Sequence, residues 1–119
     1  MAITFWYDFS SSYSYLSAMR IEAVGRAADL DVVWQPFLLG PIFKDAGYGV
    51  SPNLIAPDKA DYMWADIGRR ASSRGIKFVR PAVFPQRSIA AARAALGVSA
   101  EQRPAFSRAV FAETIVPGR

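Results

Sequence analysis

The chain has 119 residues, 52% hydrophobic and 20% charged, which suits one globular domain with a moderate core and excludes a disordered one. It contains neither cysteine nor histidine, which excludes disulfide exchange, a protein thiolate, a thiolate metal site and a histidine base. The net charge of +4 is uneven: four basic residues against eight carboxylates leave residues 1–66 at −4, and ten against two leave residues 67–119 at +8. Ile3-Thr4-Phe5-Trp6-Tyr7 is β-branched or aromatic without polar alternation, which predicts a strand buried on both faces. A turn of hydroxyl residues follows at Ser10, Ser11 and Ser12. From Leu16 the apolar spacing becomes helical, through Met19, Ala23, Ala27 and Leu30, and predicts one helix over residues 13–29. Glu22 and Arg26 lie one turn apart on its outer face and are expected to pair.

Val32-Val33-Trp34-Gln35-Pro36-Phe37-Leu38-Leu39 reads as a second strand, with Pro36 pointing to an edge position or a bulge. Strand, helix and strand predict adjacent parallel strands in a right-handed βαβ unit. Residues 40–57 carry Gly40, Pro41, Gly47, Gly49, Pro52 and Pro57 and are expected to form a long irregular loop. A helix over residues 58–74 starts at Pro57-Asp58 and stops at Gly75, with Ala60, Met63, Trp64, Ile67 and Ala71 facing the core. Asp66 can pair with Arg69 or Arg70 along its flank. After a short extended piece at residues 76–79, Ser88 is expected to cap a helix running to Leu96. Ser99 and Gln102 have capping-box spacing and open a last helix containing Phe106, Ala109 and Val110, with Pro104 in its first turn. On residue type alone, a serine at the first junction is an N-cap, Asn53 an Asx-turn and Lys59 a solvated lysine at a helix start.

Asp8-Phe9-x-Ser11-x-x-Ser14-Tyr15-Leu16 after an N-terminal strand resembles the 2-hydroxychromene-2-carboxylate isomerases and their relatives, the kappa-class glutathione transferases. These form a DsbA-like branch of the thioredoxin superfamily, whose strand-to-helix turn carries Cys-x-x-Cys where this chain has Ser11-x-x-Ser14. Pro52-Asn53 and Lys59-Ala60-Asp61-Tyr62 match further family positions. The chain departs from the family at Ser12, where a proline is usual, and at Arg87, where an asparagine is usual.

The resemblance implies an α/β fold: the N-terminal βαβ of a thioredoxin-like fold at residues 1–39, then a long loop and helical insert region at residues 40–119. Nothing after residue 81 reads as a buried strand, so the C-terminal strands are taken as missing and the chain as a fragment. The implied function is glutathione-dependent cis/trans isomerisation in aromatic compound catabolism, or glutathione transfer. Glutathione is the implied cofactor, with Ser11 as the catalytic hydrogen-bond donor to its sulfur and Asn53 and Lys59 as its contacts. Arg87 is the implied substrate contact, for a small aromatic carboxylate. In the family a cis-proline loop facing the active-site serine closes the glutathione site, and it belongs to the part taken as missing, so the fragment is expected to bind glutathione weakly or not at all, no better than roughly millimolar. A non-catalytic fragment or interaction module is the alternative. A basic nucleic-acid-binding module ranks below it, because the arginines are spread over several elements instead of forming one tract. No membrane partner is expected, a homodimer stays open, and the start, which has no leader pattern, implies a cytoplasmic location.

Overall fold

The computed structural model describes residues 1–47, 57–82 and 88–115. Strand β1 (Ala2–Tyr7) pairs in parallel with β2 (Asp31–Pro36), with Phe5 opposite Trp34 and Tyr7 opposite Pro36. The parallel βαβ order matches the prediction from the two apolar runs. The connection, however, is two helices, α1 (Ser12–Ala18) and α2 (Ile21–Ala27), and not one. The helix breaks at Arg20, whose backbone (φ −130°, ψ −16°) leaves the helical region. The break rotates the apolar set off a common face: Leu16 is buried, whereas Ala23 and Ala27 are exposed. Helix α2 seats through Gly25, where a Cβ would come within 2.8 Å of the Val32 side chain and 3.1 Å of the Leu30 carbonyl. Glu22 does not take Arg26 as its partner; it receives a hydrogen bond from Arg108.

The strands are buried on one face only. Phe5, Tyr7 and Trp34 turn inward, while Thr4, Trp6 and Val33 are exposed. This is the alternation of a half-buried sheet, and it corrects the two-sided burial expected from composition. Among the described residues the sheet holds these two strands. Its inner face is an aromatic cluster, with Phe5, Tyr7 and Trp34 rings 5.0–5.3 Å apart.

The stretch after β2 also departs from the expected loop. Leu39–Asp45 is a helix, α3. Gly40 and Pro41 are tolerated because they fall in its first turn, where a backbone N–H has no intrahelical partner to lose. Helix α4 (Pro57–Ser73) forms as predicted, burying Ala60, Trp64, Ile67 and Ala71, and Gly75 ends it in a left-handed conformation (φ +66°). The Asp66 carboxylate pairs with Arg70 at 3.0 Å and Arg69 at 3.7 Å. Phe78 stacks on Trp64, and Arg80 lies over the same indole while pairing with Asp61.

Helices α5 (Ile89–Gly97) and α6 (Arg103–Ile115) close the inner face. Ser99 Oγ accepts from the Gln102 amide in the turn before α6. Arg103 donates to the carbonyls of Ala95 and Trp34, joining α5, α6 and β2. From α6, Phe111 reaches the centre and meets the rings of Tyr7, Phe9 and Tyr15.

Two core phenols give the fold an alkaline limit. Tyr7 shares a 2.7 Å hydrogen bond with Ser107, and Tyr15 donates to the Lys77 carbonyl. Burial raises both above the ordinary value of 10.0. Above that value the unfolded chain releases protons that the folded chain keeps, so stability falls as pH rises. Urea midpoints are therefore expected to be level up to about pH 10 and to drop beyond it, with a shallower drop in Tyr7→Phe. An equal midpoint at pH 8 and pH 11 would refute this.

Candidate functional site

The site is built at the junction of β1 and α1. Asp8 ends the apolar run and Ser10-Ser11 make the turn. Ser11 is the N-cap of α1, in extended conformation (φ −106°, ψ 121°), and its Oγ accepts from the Ser14 amide at 3.2 Å. Its amide donates to the Asp8 carbonyl, and the Asp8 amide donates to Ser14 Oγ. Asp8, Ser11 and Ser14 thus close a small ring. Ser11 spends a lone pair on the cap. Among the described residues its hydroxyl hydrogen has no acceptor, and the side chain is half-exposed. A hydroxyl so placed can donate to an external anion.

Helix α4 forms the neighbouring wall. Ser12 Oγ donates to Met63 Sδ at 3.3 Å, and Tyr13 Oη donates to Asp66 at 2.7 Å. Partial burial, then the Asp66 contact, raises the Tyr13 phenol above 10.0. The Tyr13 hydrogen bond, followed by Arg70, holds the Asp66 carboxyl below 3.8. Lys59 is exposed and sits one helical turn, about 6 Å along the axis, before Met63 on the same side of α4. The fold therefore brings the helix carrying Lys59 beside the Ser11 turn. Asn53 and Arg87 lie outside the described residues. Among the described residues no cluster of acidic side chains is set to hold a metal, and no helix is long and apolar enough to cross a membrane.

The residue whose part sequence reasoning missed is Asp8. It is 1% exposed, yet four donors reach its carboxylate. The Ser10 amide and Ser10 Oγ lie 2.8 Å from Oδ1, Ser88 Oγ lies 2.9 Å from Oδ1, and the Leu39 amide lies 2.6 Å from Oδ2. Ser88 precedes α5 as expected, but its hydroxyl serves Asp8 and not the helix amides. The available signal was a carboxylate directly ending a buried strand, a position that is rare unless the charge is paired or hydrogen-bonded.

Comparison with known proteins agrees with this architecture. The profile of the DSBA-like thioredoxin domain matches residues 2–118. The solved structure of a selenomethionine 2-hydroxychromene-2-carboxylate isomerase superposes with a TM-score of 0.82 and 25% identity. The superposition covers 97% of this chain and 56% of that one, so the chain spans little more than half the length of that neighbour. No curated protein matches the sequence. With a parallel βαβ core, a helix that starts at the Ser11 turn and a profile match over nearly every residue, the chain belongs to the DsbA-like thioredoxin domain family.

Proposed function

We propose that this chain carries the sulfur-binding side of a glutathione-dependent cis/trans isomerase acting on small aromatic carboxylates of the hydroxychromene type. The observation that carries the reading is the Ser11 hydroxyl: its oxygen accepts from the Ser14 amide, and among the described residues its hydrogen has no acceptor, which leaves it free to donate to a ligand. The residues suit glutathione. A donor hydroxyl lies at the turn for the sulfur, and an ammonium at Lys59 is available on the flanking helix for a carboxylate. Held by Ser11 and Lys59, glutathione would supply the nucleophilic sulfur that a cysteine-free chain lacks, the chemistry that a cis/trans isomerisation of a conjugated double bond needs. Ser11 favours the ionised sulfur by hydrogen-bonding to it. Ser11 is not the nucleophile, since the chain contains no histidine to act as its base. Asn53 would add an amide contact to the cofactor, and the guanidinium of Arg87 would take the substrate carboxylate. The solved isomerase with the same fold at 25% identity supports the reaction class.

The test is the conversion of 2-hydroxychromene-2-carboxylate to its trans ring-opened isomer, followed by absorbance, with glutathione or with S-methylglutathione. Turnover is expected with free-thiol glutathione only, saturating at a concentration on the order of millimolar. Equal rates with the methylated thiol, or none with either, would overturn the reading. Lys59→Ala is expected to raise the glutathione concentration needed by about 2- to 5-fold with kcat little changed, as for one exposed ion pair. A fall in kcat alone would place Lys59 elsewhere in the mechanism.

A further inference from the structure

The Asp8 carboxylate joins three separate parts of the chain. Through Ser10 it fixes the turn that precedes Ser11. Through the Leu39 amide it holds the start of α3. Through Ser88 it holds the start of α5. All of this happens at 1% exposure, where a carboxyl group costs the fold free energy unless its oxygens find donors, and four reach them here. Its backbone joins the same knot, taking the Ser11 amide and giving its own amide to Ser14 Oγ. Ser14 in turn supplies the amide that occupies the Ser11 oxygen. The Ser11 oxygen is thus the end of a chain of contacts that begins at the buried Asp8 side chain.

We propose that Asp8 is a positioning residue that acts through Ser11: its four-donor knot fixes the turn so that the Ser11 oxygen is capped and its hydrogen faces the ligand. Asp8 touches neither cofactor nor substrate. The proposal rests on the reading of Ser11 as the sulfur donor. Asparagine has the same shape as aspartate but only one acceptor oxygen. With Oδ1 kept on Ser10 and Ser88, the new NH2 group would face the Leu39 amide, donor against donor. The knot would have to open on one side.

A double-mutant cycle separates positioning from mere support. Asp8→Asn is expected to lower glutathione-dependent turnover about 10- to 100-fold when Ser11 is present, and less than about 2-fold in the Ser11→Ala background. Ser88→Ala, which removes one of the four donors, should give a loss of about 2- to 5-fold with the same dependence on Ser11. It serves if Asp8→Asn does not fold. Losses that multiply independently of Ser11 would overturn the proposal. Native-state amide exchange reads the knot without any turnover. The Ser14 and Leu39 amides are expected to exchange at least about 10-fold faster in Asp8→Asn, or in Ser88→Ala by a smaller factor, with core amides unchanged. Absence of turnover in the wild type would defeat the isomerase reading alone. Unchanged exchange at Ser14 would defeat the positioning of Ser11 by Asp8.

Discussion

Ser11→Ala is expected to cut glutathione-dependent turnover by about 10- to 1000-fold, the usual range for losing one donor to a stored or developing anion. The same substitution removes the N-cap of α1 and should cost the fold about 1 kcal/mol. The two effects can be pulled apart, because they use different parts of one hydroxyl. Ser11→Asp keeps an acceptor for the Ser14 amide, so the cap survives, but it has no hydrogen to give and brings a negative charge to the sulfur position. It should unfold at nearly the wild-type urea concentration and still be as inactive as Ser11→Ala, or more so. Ser11→Thr retains both parts and should retain most activity. Wild-type kcat/KM in Ser11→Ala would remove Ser11 from the mechanism.

The largest effect on stability is expected at Phe111. Its ring is fully buried, 5.0 Å from Phe9, 6.1 Å from Tyr7 and 6.3 Å from Tyr15. Phe111→Ala leaves a cavity at the meeting point of β1, α1 and α6 and should cost about 3–5 kcal/mol. A domain of this size is stable by about 5–15 kcal/mol, so the variant would lose a large share of its margin. Phe111→Leu refills much of the space and should cost less than half as much. Urea midpoints for the two variants check the pair. A loss below about 1 kcal/mol for Phe111→Ala would mean that α6 does not close the aromatic cluster.

Much of the frame was legible because it is written in local chemistry. Two apolar runs separated by a helical period gave the parallel pair, and Pro57, Asp58 and Gly75 bracketed α4. Residue type says less where the outcome depends on distant partners. Nothing at Met19-Arg20, neither glycine nor proline, announces the break between α1 and α2. Where α2 then lies depends on the close approach of Gly25 to Val32, a contact that exists only after β2 has folded back. Gly40 and Pro41 read as helix breakers, yet in a first turn they break nothing, and the Asp8 carboxylate takes the Leu39 amide there. Arg108 displaced Arg26 as the partner of Glu22 for the same reason: it arrives from α6, 86 residues away. At the site, the position of Ser11 followed from the motif. The work of Asp8 did not, because three of its four donors belong to serines, a residue type that fills turns without signalling a buried charge.

The pairing of Tyr7 with Ser107 spans 100 residues of sequence. During synthesis the first strand must therefore wait for α6 before its inner face is fully covered. At ordinary ribosomal speeds the interval from Pro36 to Ile115 lasts roughly 4–16 s, far longer than a helix or a short loop takes to form. Until then Tyr7 and Phe9 lack the Phe111 ring that covers them, a nascent aromatic surface suited to chaperone capture. Closure is a late, long-range event, and slow folding is the expected signature of such distant contacts. Slowing translation after residue 100 should prolong that exposure and lower the soluble yield, whereas slowing it within the first 30 residues, before the strand pair exists, should leave the yield unchanged.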